Sequence, residues 1–377
     1  MRKYGLPYKG GKWKLADSIV RLLPSAETLW DIFCGGGSIS DRARETGKFK
    51  RIHLNDIQNG QAECVRSLFD GTLEVPMRWI SHEEFFELRL TNPIIRMVWS
   101  FGNDGHSYLF SREIEPWKKA CFYARELNDY SLLEEIGITQ RPISRKWIHD
   151  HHKECREKYL AWVKPYLGIT PDIEDEYIKL VADGLVVRRS GVAAVQHSDG
   201  ILRKITPNAD KIHSLMLLET LKDLFSLQAL EALERIESIE RMSDLRGRSK
   251  ISCPVEITTS QGDYRALTEK IKAGDVCYLD PPYENTSGYG GGFGRFDSES
   301  FWDWVRSLPC IAVVSSYKAP DDFITLAEFE HRCTIKDITN DLVIEKCFLY
   351  KGQEEEYRKR TGWAGIIRDK NGQAELF

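Results

Sequence analysis

Asp280-Pro281-Pro282-Tyr283 stands directly after the apolar run Val276 to Leu279. Two prolines at the C-terminal end of a strand stop the hydrogen-bonded ladder and stiffen the backbone. A rigid turn of that kind can present one carboxylate, one main-chain carbonyl and one aromatic ring in fixed relation. Those groups suit chemistry at an aromatic amine, a poor nucleophile because its lone pair is delocalised into its ring. Acceptors for its two hydrogens, the Asp280 carboxylate and the Pro281 carbonyl, would favour the pyramidal form in which the lone pair can attack. Pro282 keeps the turn rigid, and Tyr283 would stack on the ring and hold it for in-line transfer. A turn whose acid is merely solvated is the plainer alternative.

A second constellation lies near the N-terminus, in Asp31-Ile32-Phe33-Cys34-Gly35-Gly36-Gly37. Glycines that end a strand and open a helix let backbone approach a ligand closely and aim amide groups at it. Alone, this is no more than a glycine-rich turn. Asn55-Asp56 strengthens it, because an acid ending the next strand, about 20 residues on, is where nucleotide-binding sheets hold a ribose. The GxGxxG dinucleotide pattern is absent, which argues against a nicotinamide cofactor.

Positioning these groups requires strands that deliver them to one edge. Thr28 to Phe33, Arg51 to Leu54, Val255 to Thr259, Val276 to Leu279, Ile311 to Ser315 and Leu342 to Tyr350 read as strands. Trp13 to Leu23 and Ser298 to Leu308 read as helices, and Ser38 as the cap of another. Such alternation predicts an α/β fold with an open, largely parallel sheet and helices on both faces. The pattern breaks between about residues 90 and 250, where polar and aromatic loops and charged helices predominate. The expected organisation is a catalytic domain over 1–89 and 251–350, an insertion over 90–250 and a charged tail over 351–377. Within the insertion, Leu185 to Val195 reads as a hairpin carrying Arg188 and Arg189. Leucine, isoleucine and methionine recur every third residue from Leu221 to Leu245, a row that drifts round a helix and leaves no single narrow apolar face.

Composition narrows the class. The 377 residues carry a formal net charge of −4, so any nucleic-acid surface must be a local basic patch such as Arg188 and Arg189. Nine scattered cysteines without a CxxC pair argue for free thiols in a reducing compartment. No segment is long and apolar enough for a signal peptide or a membrane span. The reading is a cytoplasmic protein of a bacterial or phage-infected cell. His149, His151, His152 and Cys155 lack standard zinc spacing and are read as a solvated or phosphate-contacting helix, so no metal is expected. Cys310 sits at the start of an apolar run and reads as a core cysteine. The glycine-rich stretch 287–294 is followed by no Gly-Lys-Ser/Thr and reads as a mobile lid.

In order, Pro7-Tyr8-Lys9-Gly10-Gly11-Lys12, Asp31 to Gly37, Asn55-Asp56, Gly262-Asp263-Tyr264 and Asp280 to Tyr283 resemble the motifs of the Dam-type DNA adenine-N6 methyltransferases of the alpha motif order. Ser315-Ser316-Tyr317 and the closing strand around Glu345 are late counterparts. The resemblance covers about half the chain, at its two ends. One departure is Ile32, where the family often has proline. The family implies a Rossmann-like S-adenosylmethionine-dependent methyltransferase sheet with a large, mainly helical, inserted target-recognition region. It implies that Tyr8, Lys12, Asp31 and Phe33 surround the methionine part of S-adenosylmethionine, beside Gly35 and Gly37. Asp56 would bind the ribose, and Asp263, next to Tyr264, the cofactor's adenine amine. The loop Phe101 to Tyr108, with Asn103 and Tyr108, resembles the loop that contacts target DNA. The implied partner is double-stranded DNA with a flipped-out adenine; a cognate restriction endonuclease and a monomer or weak dimer fit the same picture. Two other readings stay open: methylation of another amine, in cytosine, RNA or protein, and a nucleic-acid-binding subunit with a dead methyltransferase fold.

Overall fold

The computed structural model describes residues 3–182, 185–188, 191–194, 217, 245, 255–282, 296–332, 342–370 and 373–374. Two compact units divide the chain: residues 1–109 with 241–377, and residues 110–240.

The first unit is built on a nine-stranded sheet. Its strands are β1 (Ala26–Asp31), β2 (Phe49–Asp56), β5 (Glu256–Gln261), β6 (Val276–Leu279), β7 (Ile311–Ser316), β8 (Phe323–Arg332), β9 (Leu342–Tyr350), β10 (Ile367–Lys370) and β11 (Gln373–Ala374). In space they run β11-β10-β8-β9-β7-β6-β1-β2-β5. The five strands β5, β2, β1, β6 and β7 are parallel, whereas β9 is antiparallel to both β7 and β8. From β1 the chain winds outward through β2 to β5, and from β6 outward the other way to β7. The winding therefore reverses between β1 and β6, and a crevice opens beyond the C-terminal ends of such strands. Asp31 ends β1, Asp56 ends β2 and Asp280 follows β6, so this topology brings all three to that crevice.

One face of the sheet is sealed by α11 (Ser298–Ser307), capped by the Asp297 carboxylate, which accepts from Ser300 N. Phe301, Trp304 and Val305 of that helix pack on Ile32, Leu279, Ala312 and Val314. The crossover from β2 to β5 starts with α3 (Gln61–Asp70) and contains the whole second unit.

Elements expected at β1, β2, β5, β6, β7, β9 and α11 are present, with shifts at their ends. The first helix begins at Ala16, not Trp13, and Ser38 is not a helix cap: Gly37 occupies the cap position, and Ser38 Oγ donates to Tyr4 O at 3.1 Å. Strands β8, β10 and β11 were not anticipated. Residues 90–109, assigned to the insertion by composition, belong to the first unit. Residues 351–377 likewise are no mere tail: α12 (Glu354–Thr361) buries Tyr357, whose hydroxyl donates to Leu22 O at 2.9 Å, and β10 extends the sheet.

The second unit is mainly helical as described, with α6 (Glu115–Glu126), α7 (Ser131–Glu135), α8 (Arg145–Asp150), α9 (His152–Tyr166) and α10 (Pro171–Ala182). The antiparallel hairpin of β3 (Leu185–Arg188) and β4 (Gly191–Ala194) follows, with Arg188 paired to Gly191. The period-three row from Leu221 to Met242, Arg189, Tyr283 and the stretch 287–294 lie outside the described residues. Among the described residues no helix is long and apolar enough to cross a membrane.

Candidate active site

A cleft of about 620 Å³, partly open to solvent, occupies the crevice. Tyr8, Lys12, Asp31, Phe33, Gly35, Asp56, Tyr278, Asp280 and Pro282 are among its walls. The N-terminal segment forms one side. Leu6 N donates to Gly36 O at 2.7 Å and Gly5 N to Asp41 Oδ2 at 2.8 Å, which lays the Tyr8 ring against the glycine turn. A Cβ on Gly35 would stand 2.9 Å from that ring, and one on Gly36 2.5 Å from Leu6 O, so neither position admits a side chain. Gly37, at φ 71°, faces Val65 rather than the cleft and packs α2 (Ser38–Ala43) close to the helix behind it.

Three carboxylates share this space, each with a different partner. Asp31 is buried and accepts from Ser40 Oγ at 2.6 Å. Burial, reinforced by the charges of Asp280 and Asp56, pushes its carboxyl up to about 7. Asp56 is also raised by burial, but it accepts backbone hydrogens from Gly35 at 2.9 Å and Gln58 at 2.9 Å. A backbone hydrogen bond from Ile57 also acts on it, and the acceptor capacity that remains on its oxygens suits a ligand hydroxyl. Asp280, 19 % exposed, pairs with Lys12 Nζ at 2.8 Å. The same ammonium lies 3.3 Å from Glu345 Oε1 and donates to Gly10 O at 3.0 Å.

Other expected site residues are placed differently. Phe33 forms a wall and rests on an aromatic cluster, 5.5 Å from Tyr264 and 5.8 Å from Phe301 between ring centroids. Tyr264 is thus core material behind the wall, not lining. The Asp263 carboxylate is held by Arg265, with Nη2 at 2.6 Å and Nε at 2.9 Å, and is not among the lining residues. Pro281 is buried beside the cleft, and Pro282 faces it.

The loop from Phe101 to Tyr108 turns inward more than its composition suggests. Tyr108 is buried, donates from its hydroxyl to Ile80 O and stacks parallel to Trp99. This is a correction: its ring holds the loop down and presents nothing to a partner. Asn103, at φ 57°, donates from Nδ2 to Met97 O at 2.7 Å. Phe101, 67 % exposed, points outward. Cys310 faces Cys277 in the core at 3.5 Å, as its apolar context implied.

Sequence reasoning missed three contributors. Gln61 Nε2 donates to Gly35 O at 2.6 Å and lies 3.3 Å from Met97 Sδ, fastening the glycine turn from behind. Ser40 and Tyr278 carried no signal of their own. Glu345 did carry one, a charge inside an apolar strand, though no role was attached to it.

Sheet order and the switch-point crevice are those of a Rossmann-like α/β fold. Residues 8–133 match the family model of D12 class N6 adenine-specific DNA methyltransferases. No curated protein matches the chain.

Asp31 generates a stability prediction. Its folded-state value near 7 lies above the unfolded value of 3.8, so its ionisation costs the fold little below about pH 4 and most above about pH 7. Asp31→Asn keeps an acceptor for Ser40 and removes that cost. The variant's gain in melting temperature over the parent should therefore grow from about pH 4 to about pH 8. An equal difference at both ends in thermal unfolding would contradict the assignment.

Proposed function

We propose that the methyl donor is S-adenosylmethionine, held in the cleft of the first unit, and that the enzyme acts on an adenine turned out of the DNA helix. The observation that carries this reading is Asp280, delivered by β6 to the mouth of a glycine-walled cleft that also holds Asp56 and a charge-starved Asp31. The fit is chemical as well as spatial. A buried carboxylate with a raised pKa favours a cationic ligand, and the methionine part of the donor carries an ammonium and a sulfonium. Asp56 has acceptor capacity left for ribose hydroxyls, and Phe33 offers a flat apolar wall.

Bound S-adenosylmethionine supplies a methyl group on positive sulfur, and its transfer leaves a neutral thioether and releases one amine proton. Asp280 accepts one hydrogen of the adenine amine, and the Pro281 carbonyl accepts the other, so the lone pair is freed to attack. As positive charge develops on the nitrogen, the Asp280 carboxylate stabilises it and takes the departing proton toward solvent. Tyr283 stacks on the base. A paired adenine could not bring its amine to Asp280 while stacked in the duplex, which requires an extruded base. Arg188 and Arg189 on the β3–β4 hairpin contribute to DNA recognition, and the loop around Asn103 takes part through its outward face. A target-recognition role for the insertion, a cognate endonuclease and a cytoplasmic location accord with this reading.

Incubating the protein with labelled S-adenosylmethionine and DNA, then analysing nucleosides, should give N6-methyladenine. Label in N4-methylcytosine, or in RNA or protein alone, would sink the substrate assignment. The division of roles has its own test. Asp280→Ala should lower the single-turnover rate by about 10²-fold or more with little change in donor affinity. Asp56→Ala should chiefly weaken donor binding. Identical kinetic defects in the two would undo the division.

Replacing Arg188 and Arg189 with alanine separates two modes of DNA contact. Loss of base readout should reduce discrimination between target and altered sites by about 1–3 kcal/mol per bidentate contact. Loss of phosphate contacts should instead weaken binding to all sequences and flatten its salt dependence. Base readout is the expected outcome, since a narrow hairpin fits the major groove. Unchanged affinity, salt slope and preference would remove the hairpin from the DNA surface.

A further inference from the structure

Tyr278 and Asp280 stand two residues apart on β6 and the turn after it, so they share a side of the sheet. On β9 the same holds for Cys347 and Glu345. A bonded layer joins the first member of each pair: Tyr278 OH lies 2.9 Å from Ser315 Oγ, which lies 3.6 Å from Cys347 Sγ. Because β9 runs antiparallel to β7, stepping from Cys347 to Glu345 moves in the same direction as stepping from Tyr278 to Asp280. Asp280 and Glu345 thus follow on the same side of the sheet, and Lys12 links them, 2.8 Å from one carboxylate and 3.3 Å from the other. Lys12 and Glu345 are both buried.

A buried lysine beside Asp280 poses a problem for the reaction proposed above. An ammonium 2.8 Å from the carboxylate draws its electron density and opposes positive charge forming on the substrate nitrogen nearby. With Asp280 and Lys12 alone, the local net charge is zero. With Glu345 it is −1, and the lysine divides its hydrogen bonds between two carboxylates and the Gly10 carbonyl.

We propose that Glu345 is a positioning residue for methyl transfer, acting through Lys12: it anchors the ammonium and cancels its charge, so that Asp280 meets the amine as an effective acceptor. The role presupposes that Asp280 accepts from the amine, as in the proposed function. Glu345 touches neither substrate nor donor. Its effect should appear in the chemical step and not in binding. It should also depend on the presence of Lys12.

Glu345→Gln keeps the shape of the side chain and removes its charge. The expected result is a fall of about tenfold or more in single-turnover rate, with dissociation constants for S-adenosylmethionine and DNA within about threefold of the parent. Glu345→Asp should recover part of the rate. On a Lys12→Met background, Glu345→Gln should cost little further, because the charge it balances is gone. This double variant also removes the buried pair together, so it serves if the single variant fails to fold. A parental rate in Glu345→Gln, a loss explained by weakened donor binding, or full additivity with Lys12→Met would each overturn the proposal. Asp280→Asn measured alongside separates the layers of argument. If it stays active, the reading of Asp280 fails; if it is inactive while Glu345→Gln is unimpaired, only the role of Glu345 fails.

Discussion

Asp31, Asp56 and Asp280 are driven into one crevice by the reversal of winding between β1 and β6, and like charges in a poorly hydrated space repel. The structure answers this repulsion separately for each. Asp56 is met by backbone hydrogens from Gly35 and Gln58, Asp280 by the Lys12 ammonium, and Asp31 by the Ser40 hydroxyl, although burial still leaves Asp31 reluctant to ionise. The glycine turn has to approach closely for Gly35 to reach Asp56. That is why Tyr8 and Leu6 leave no room for a side chain there. Much of the N-terminal unit is thus arranged around unbalanced negative charge that a cationic ligand would relieve.

The same glycine turn is tied to the loop after it in sequence. Gln61 reaches Gly35 O and Met97 Sδ, Arg96 donates to Gln61 Oε1 at 2.8 Å, and Asn103 donates to Met97 O. Ligand-lining backbone and the 101–108 loop therefore rest on one buried network. Partly satisfied networks are costly in low dielectric, and Arg96 Nε has no hydrogen-bond partner among the described residues, so the network has little freedom to rearrange without loss. Movement at the loop would be felt at Gly35 through two side chains.

Those features were unequally legible in the sequence. Asp31, Asp56 and Asp280 each follow an apolar run, and a carboxylate at a strand's end reads clearly. Strands β6 and β7 were legible as buried, nearly continuous apolar runs. Strand β8 was not: Phe323 to Arg332 interleaves Thr, Glu and His with its apolar residues, and its pairing with β9 shifts between Thr325 and Ala327. The 351–377 segment hid behind its charges, since one buried tyrosine among exposed glutamates and arginines is a weak pattern. Tyr108 misled in the opposite way. Aromatic and polar residues on a loop suggest a contact surface, yet its ring met Trp99 and Phe85 from elements that only the fold brings near.

Asp263 shows where motif and geometry part. Its expected ligand is an amine, but both carboxylate oxygens are engaged by Arg265 on the next turn. That pair is exposed, so solvent screening makes it weak. An ion pair of that strength does not bar a ligand from Asp263. Arg265 can swing away at small cost, whereas Lys12, buried between two carboxylates, cannot. The two lysine and arginine partners therefore have different meanings: Arg265 occupies an acid that is open to exchange, and Lys12 is part of the fabric that gives Asp280 its charge environment.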